Sequence, residues 1–243
     1  MKTAVCTLVV GSRFERLFRD YVFTGWQTYC RSHQYELVVF RKPFAELPGK
    51  SLAWQKLFIL RPPELSSFHK ILWLDSDIII KPKSPPIDVP AGRIGYTVNP
   101  PRSQSVADWY AQFNLPPANE VVQTGVICLE PQHDEVLQRA LQYPDTFMYE
   151  MPALSKCLSE SGLGYQLDPR FNALIATLML DHAPRWMLTT KLIKELLWQL
   201  HYPPLRRAVR EVCEGNWFIH AAGAKRDLIK ISGQLEKLEA IAR

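Results

Sequence analysis

Apolar runs, broken at intervals by glycine, proline and acids, organise the chain. "TAVCTLVV" (Thr3–Val10) is β-branched and apolar, as a buried strand is. Gly11-Ser12 breaks it. From Arg13 to Arg31 the apolar positions Phe14, Leu17, Phe18, Tyr21, Val22 and Trp26 fall at helical spacing, and "YELVVF" (Tyr35–Phe40) predicts a second strand. The chain thus opens with a β-α-β unit, which implies parallel strands and a right-handed crossover. Ser51–Leu60 predicts a helix stopped by Pro62-Pro63, and Lys70–Asp75 a third strand. Arg93–Val98 and Val121–Glu130 predict further strands, with a short helix near Val106–Phe113 between them. Helices are expected at about Asp134–Gln142 and Pro152–Ser161, a strand at Asn216–Ala221 and an amphipathic helix from about Asp227. No linker long enough to divide the chain is visible. The pattern predicts an α/β fold, one domain over residues 1–243, with a mostly parallel central sheet flanked by helices and an irregular, helical C-terminal region.

Composition narrows this picture without changing it. In 243 residues, 47% hydrophobic and 22% charged content is ordinary for a globular chain with a large core. The formal charge of +5 is mild and spread from end to end, which argues against a nucleic-acid partner. Cys6, Cys30, Cys128, Cys157 and Cys213 are widely spaced with no CxxC, as buried free thiols in a reducing compartment are. No apolar segment reaches the length of a spanning helix, and the N-terminus lacks a secretory pattern. The expected location is cytoplasmic. Arg185–Arg210 carries six Lys/Arg against one Glu, with Trp186, Trp198 and Tyr202 interspersed. Its ordinary reading is a solvated basic face over a packed apolar one; the alternative is peripheral contact with the inner face of an anionic membrane.

Chemistry concentrates in "KILWLDSDIII" (Lys70–Ile80). Asp75 and Asp77 interrupt an apolar run, and a charged carboxylate costs several kcal/mol or more to bury unless it finds a partner. Residues two apart in a strand, or in a tight turn at its carboxyl end, can converge, and that end is where open α/β sheets bind ligands. Two close carboxylates repel; a divalent cation with a preference for hard oxygen ligands relieves them. Mg²⁺ or Mn²⁺ suits, and a nearby imidazole leans the site toward Mn²⁺. The bland alternative is a capping Asp75 and a solvated Asp77.

This segment resembles the DxD motif of GT-A nucleotide-sugar glycosyltransferases. Four others resemble the same family in order: "WQKL" (Trp54–Leu57), "QTGVICLEP" (Gln123–Pro131), "LDPRFNAL" (Leu167–Leu174) and "IHAAGAKRD" (Ile219–Asp227). The nearest likeness is to the glycogenin and lipopolysaccharide-galactosyltransferase group (family 8). The resemblance implies a single GT-A domain, with residues 1–98 as the nucleotide-binding half and 99–243 as the acceptor-side half. It implies a hexosyl transfer from a nucleotide-diphosphate sugar to a carbohydrate, lipid-linked or protein acceptor, with retention at the anomeric carbon. Asp75, Asp77 and His220 stand where that family binds Mn²⁺. Gly223 and Lys225 match its diphosphate motif, and Val9, Gly11 and Ser12 its base-and-ribose loop, although the Asp and Tyr usual there are absent. Lys56 is placed near Asp75 or the diphosphate, or else on a helix surface; Ser76 lies within the acid motif. Glu150, Gln123 and Thr124 stand at the sugar pocket, with Met151 in place of the usual amide. Asp168 is a candidate near the reaction centre, and Asn172 reads as a loop residue bonding backbone.

Two other readings compete. A haloacid-dehalogenase-type phosphohydrolase also begins with an apolar strand and DxD, but the later acidic pair it needs is absent. A non-catalytic nucleotide-sugar-binding protein would keep the metal acids and lose the reacting groups.

Overall fold

A computed structural model describes residues 2–98, 104–182, 196–222 and 231–235. The chain forms two compact units, Met1–Phe14 with Cys30–Ser76 and Pro86–Pro169, and Glu15–Tyr29 with Asp77–Pro85 and Arg170–Arg243.

The first unit is built on a six-stranded sheet of β1 (Thr3–Leu8), β2 (Glu36–Phe40), β3 (Lys70–Leu74), β5 (Ile94–Val98), β6 (Val122–Leu129) and β7 (Gly164–Gln166), in the order β2-β1-β3-β6-β5-β7. β4, outside this sheet, is Ile78–Ile80. The expected parallel start is present: β1 pairs in parallel with both β2 and β3. The sheet as a whole is mixed, because β6 runs antiparallel to β3 and β5, while β5 and β7 are parallel. An eight-residue run buried on both faces reads the same in either direction, so its polarity was not visible in the pattern. Apolar side chains from the sheet, including Ile71, Trp73, Ile127 and Leu129, pack against Val136 and Leu137 of one helix (Asp134–Ala140) and Leu154 and Leu158 of another (Met151–Glu160).

Leu52–Phe58 is a 3₁₀ helix where the sequence predicts an α-helix. Trp54, Gln55, Lys56 and Leu57 are all buried there, and each of the first three has a different polar anchor. Trp54 Nε1 donates to Asp145 Oδ1 (2.8 Å), Gln55 Oε1 accepts from the Phe44 and Ala45 amides (2.7 and 3.1 Å), and Lys56 reaches an ion cluster. Polar anchoring on several sides, rather than one apolar stripe, sets this segment's geometry.

The second unit holds a three-stranded sheet, β4-β9-β8, with β8 at Ala173–Leu174 and β9 at Phe218–His220. The helix expected over Arg13–Arg31 is two, α1 (Ser12–Tyr21) and α2 (Phe23–Ser32), divided at Val22; bonds from Val22 N to Phe18 O and Trp26 N to Val22 O bridge the break. α2 is fastened to β4: Trp26 Nε1 donates to Ile78 O at 2.7 Å. A Cβ on Gly25 would lie 2.7 Å from Ile80 O, so the close approach requires glycine. The helix Pro203–Gly215 buries Leu205, Ala208, Val209 and Val212 at helical spacing and leaves Arg207 and Arg210 exposed. All five cysteines are buried free thiols. Among the described residues no helix is long and apolar enough to cross a membrane.

Candidate active site

The polar group at the carboxyl end of β3 belongs to the first unit. Asp75 follows the strand directly, and its amide donates to Gly125 O of β6 (2.9 Å). The register between β5 and β6 jumps there: Tyr96 faces Ile127, but Thr97 faces Gln123. This irregularity takes Thr124–Val126 out of the β5 ladder. The Thr124 carbonyl is then available to accept from Lys56 Nζ, at 3.1 Å.

Lys56 is the centre of the group. Its ammonium lies 3.0 Å from Asp75 Oδ1 and 2.8 Å from Glu150 Oε1. Trp73 Nε1 donates to Asp75 Oδ1 (2.8 Å), and Thr124 Oγ1 donates to Glu150 Oε1 (3.1 Å). Lys56 and Glu150 are both 4% exposed by side chain, Asp75 26%. Burial acts to lower the Lys56 pKa, but Asp75 and then Glu150 outweigh it and raise it, so the ammonium stays charged. Burial pushes the Glu150 carboxyl up against the pull of Lys56, and Asp75 adds to the rise. The cation that compensates Asp75 here is a lysine of the chain itself. The lysine that the sequence left divided between a helix surface and the acid motif therefore reaches the acid, and Glu150 and Thr124 join it.

A second group lies in the other unit, around the three-stranded sheet. Asp77 immediately precedes β4, His220 ends β9, and Asn172 immediately precedes β8. β9 is the central strand, with Ile78 opposite His220 on one side and Leu174 opposite it on the other. Ala221 N donates to Asp77 O (3.0 Å), which pins the acid to the end of β9. His220 Nε2 stands 3.2 Å from Asp77 Oδ1, and its Nδ1 stands 2.8 Å from Asn172 Oδ1. Asn172 and His220 are buried, at 5% and 6%. The sequence reading left Asn172 as a loop asparagine bonding backbone; the pairing of β8 with β9 brings it to His220 instead.

The remaining candidates are placed as follows. Val9 has a buried side chain and donates its amide to Phe40 O (2.9 Å), so only its backbone can face a ligand. Gly11 has φ +92° and Ser12 opens α1; both are exposed. Gln123 is buried in β6 opposite Thr97. Ser76 is half-buried in the turn between the two acids, and Asp168 is half-buried between β7 and the 3₁₀ turn Pro169–Asn172. Gly223 and Lys225 lie outside the described residues.

Among the described residues, no group of three or more His, Cys, Asp or Glu side chains is arranged to hold a metal ion. The donor chemistry of the pair that does meet is nonetheless suitable: a carboxylate and an imidazole suit Mn²⁺. Their separation of 3.2 Å is close to the edge, about 3 Å, of an octahedron with bonds of about 2.1 Å.

No family model matches the sequence, and no curated protein matches it. Among solved structures, the chain is similar to a glycosyltransferase involved in the glycosylation of the major capsid of PBCV-1. The TM-score is 0.59 at 16% identity, over 96% of this chain and 99% of that one. The chain has the mixed α/β fold of a glycosyltransferase.

Proposed function

We propose that the protein is a metal-dependent glycosyltransferase that moves a hexosyl group from a nucleotide-diphosphate sugar to an acceptor hydroxyl, with retention of the anomeric configuration. The observation that carries this reading is the meeting of Asp77 and His220 at 3.2 Å within a chain whose fold is that of a glycosyltransferase. Asp77 and His220 would hold a divalent cation, Mn²⁺ or Mg²⁺, and the family resemblance makes Asp75 the third protein ligand. Such an ion would neutralise charge on the departing diphosphate.

The chain's own residues then divide the work. Lys56 holds Asp75 and Glu150 in fixed orientations, and Thr124 holds Glu150 from β6. Glu150, Gln123 and Thr124 face the donor sugar. The backbone of Val9–Ser12 takes the nucleoside, and Gly223 and Lys225 the diphosphate. The acceptor is a carbohydrate, a lipid-linked sugar or a protein. Near-complete coverage of a glycosyltransferase fold favours this reading over a phosphohydrolase of the haloacid-dehalogenase type.

The test is a thermal-shift screen of UDP-, GDP-, CDP- and ADP-sugars with and without Mn²⁺. A ligand that binds only the folded state stabilises it, by about 2.7 kcal/mol at one hundred times Kd, and so raises its melting temperature. A donor that stabilises the protein only with Mn²⁺, and is hydrolysed slowly without acceptor, supports an enzyme. Stabilisation without any hydrolysis points to a binding protein, and no stabilisation by any donor ends the proposal.

A further inference from the structure

The turn Asp145–Tyr149, in the first unit, leads directly into Glu150 and carries two large aromatic side chains that the core does not use. Phe147 is 72% exposed and Tyr149 53%. Single exposed apolar residues are ordinary. Here two fall in one turn, and the turn is fastened along its length. Asp145 Oδ1 accepts from Trp54 Nε1 (2.8 Å) and from the Thr146 amide (2.9 Å), and its Oδ2 accepts from the Ser51 amide (3.1 Å). Thr146 Oγ1 accepts from the Met148 amide (3.2 Å) and donates to Tyr149 O (3.0 Å), while the Tyr149 amide donates to Thr146 O (3.0 Å). Tyr149 stands at φ +59°, a left-handed conformation that a bulky residue rarely adopts and that persists only where its surroundings impose it. Phe147 lies against Phe113, with ring centroids 5.0 Å apart, and Phe113 is itself buried against Trp109. The ring is thus propped from behind by the core and open to solvent over most of its surface.

We infer that Phe147 and Tyr149 form an aromatic platform on which a sugar ring of the acceptor stacks, next to Glu150. Size decides against a protein occupant. A stable protein interface takes about 800 Å² from each partner, and two aromatic side chains of about 150–250 Å² each fall well short of it. A pyranose has the right scale and chemistry. One face of the ring is a set of C–H groups with slight positive charge, which suits the negative face of an aromatic ring. Its rim of hydroxyls stays in water or bonds the Tyr149 hydroxyl, which both donates and accepts. A pinned turn loses little freedom when such a ligand settles on it, so the contact is not offset by ordering the loop. That the sugar belongs to an acceptor rests on the transferase reading above; that a sugar binds here rests on the turn alone.

The experiment is saturation-transfer NMR on the full-length protein, without nucleotide or metal. The probes are the methyl glycosides of glucose, galactose and mannose, with lactose and maltose. The expected result is transfer to the C–H protons of at least one probe, with affinity about tenfold weaker in Phe147→Ala and within a few-fold of wild type in Phe147→Trp, which keeps a ring. Phe147 is mostly in solvent, so both variants should keep the wild-type circular dichroism spectrum. No transfer to any probe, or unchanged affinity in Phe147→Ala, overturns the inference. A concentration-dependent dimer in sedimentation that Phe147→Ala abolishes also overturns it, by giving the surface to a second copy of the chain. Saccharide binding that depends on Phe147, with no donor stabilising the protein in the thermal-shift screen, leaves the platform standing and removes the transferase reading. Donor stabilisation without saccharide binding does the reverse.

Discussion

The two acids of "LDSD" stand two positions apart in the chain, yet they have opposite surroundings. Asp75 is met by a buried ammonium and an indole N–H, so its charge is compensated by the protein. Asp77 is met by the buried His220 imidazole, whose other ring nitrogen lies against Asn172. The comparison teaches that one spacing motif can serve two ends. In the first unit Asp75 belongs to an ion cluster with Lys56 and Glu150, and in the second Asp77 belongs to a polar group with His220 and Asn172. Lys56 is the residue that separates the two cases.

The comparison can be broken first at Lys56. Lys56→Met leaves Asp75 and the buried Glu150 carboxylate without their cation, and should destabilise the protein by about 3–5 kcal/mol in urea denaturation. A loss below about 1 kcal/mol would show that the cluster is not the structural element described here. Packing in the second unit should be next in size. Gly25→Ala forces a methyl onto the Ile80 carbonyl and should cost about 1–3 kcal/mol. Asp77→Asn, at a partly exposed acid, should cost no more than about 1 kcal/mol in stability while abolishing Mn²⁺-dependent donor binding. Equal stability losses for the Lys56 and Asp77 variants would erase the distinction between the two acids.

The pH dependence of stability sharpens the same point. Lys56 has a folded pKa raised above its ordinary 10.5, so its contribution is fully present below that value and lost as pH rises through the folded one. Glu150 is also raised, from 4.5, so the stability linked to its protonation is present below pH 4.5 and lost as pH rises through the folded value. Urea midpoints measured against pH should show both slopes, the alkaline one absent in Lys56→Met and the acid one absent in Glu150→Gln. The smallest effect concerns the thiols. Burial pushes Cys30, Cys128 and Cys213 up to about 12, so native protein should resist thiol reagents until it unfolds; fast labelling at neutral pH would contradict the packing described.

Much of the first unit was legible in the sequence because its strands are continuous apolar runs bounded by breakers. β1, β2, β3, β5 and β6 all fall within the expected segments. Of the second sheet only β9 was legible, within the strand expected at Asn216–Ala221. Ile78–Ile80 follows the β3 run so closely that hydrophobicity alone joins them, and only the two acids mark the change of sheet. β8 has two residues, too short for a period to show. In the site, the acids were found by their odd position among apolar neighbours, and His220 by the family resemblance of the segment Ile219–Asp227. Lys56 was left between Asp75 or the diphosphate and a helix surface, and its second partner Glu150 was not foreseen, because a lysine in a short helical pattern looks solvated until its burial is seen. Asn172 lies in the segment Leu167–Leu174 that resembles the family, but its contact with His220 comes from strand pairing and was not visible in the pattern.

The account's central claim is that Asp77 and His220 hold a cation required for the donor. Calorimetric titration of the donor found in the screen, with and without Mn²⁺, in wild type, Asp77→Ala and His220→Gln tests it most directly. The account predicts Mn²⁺-dependent binding in the wild type that is lost in both variants while their folds persist by circular dichroism; donor binding that is unchanged by Mn²⁺, or retained at wild-type affinity in either variant, would contradict it.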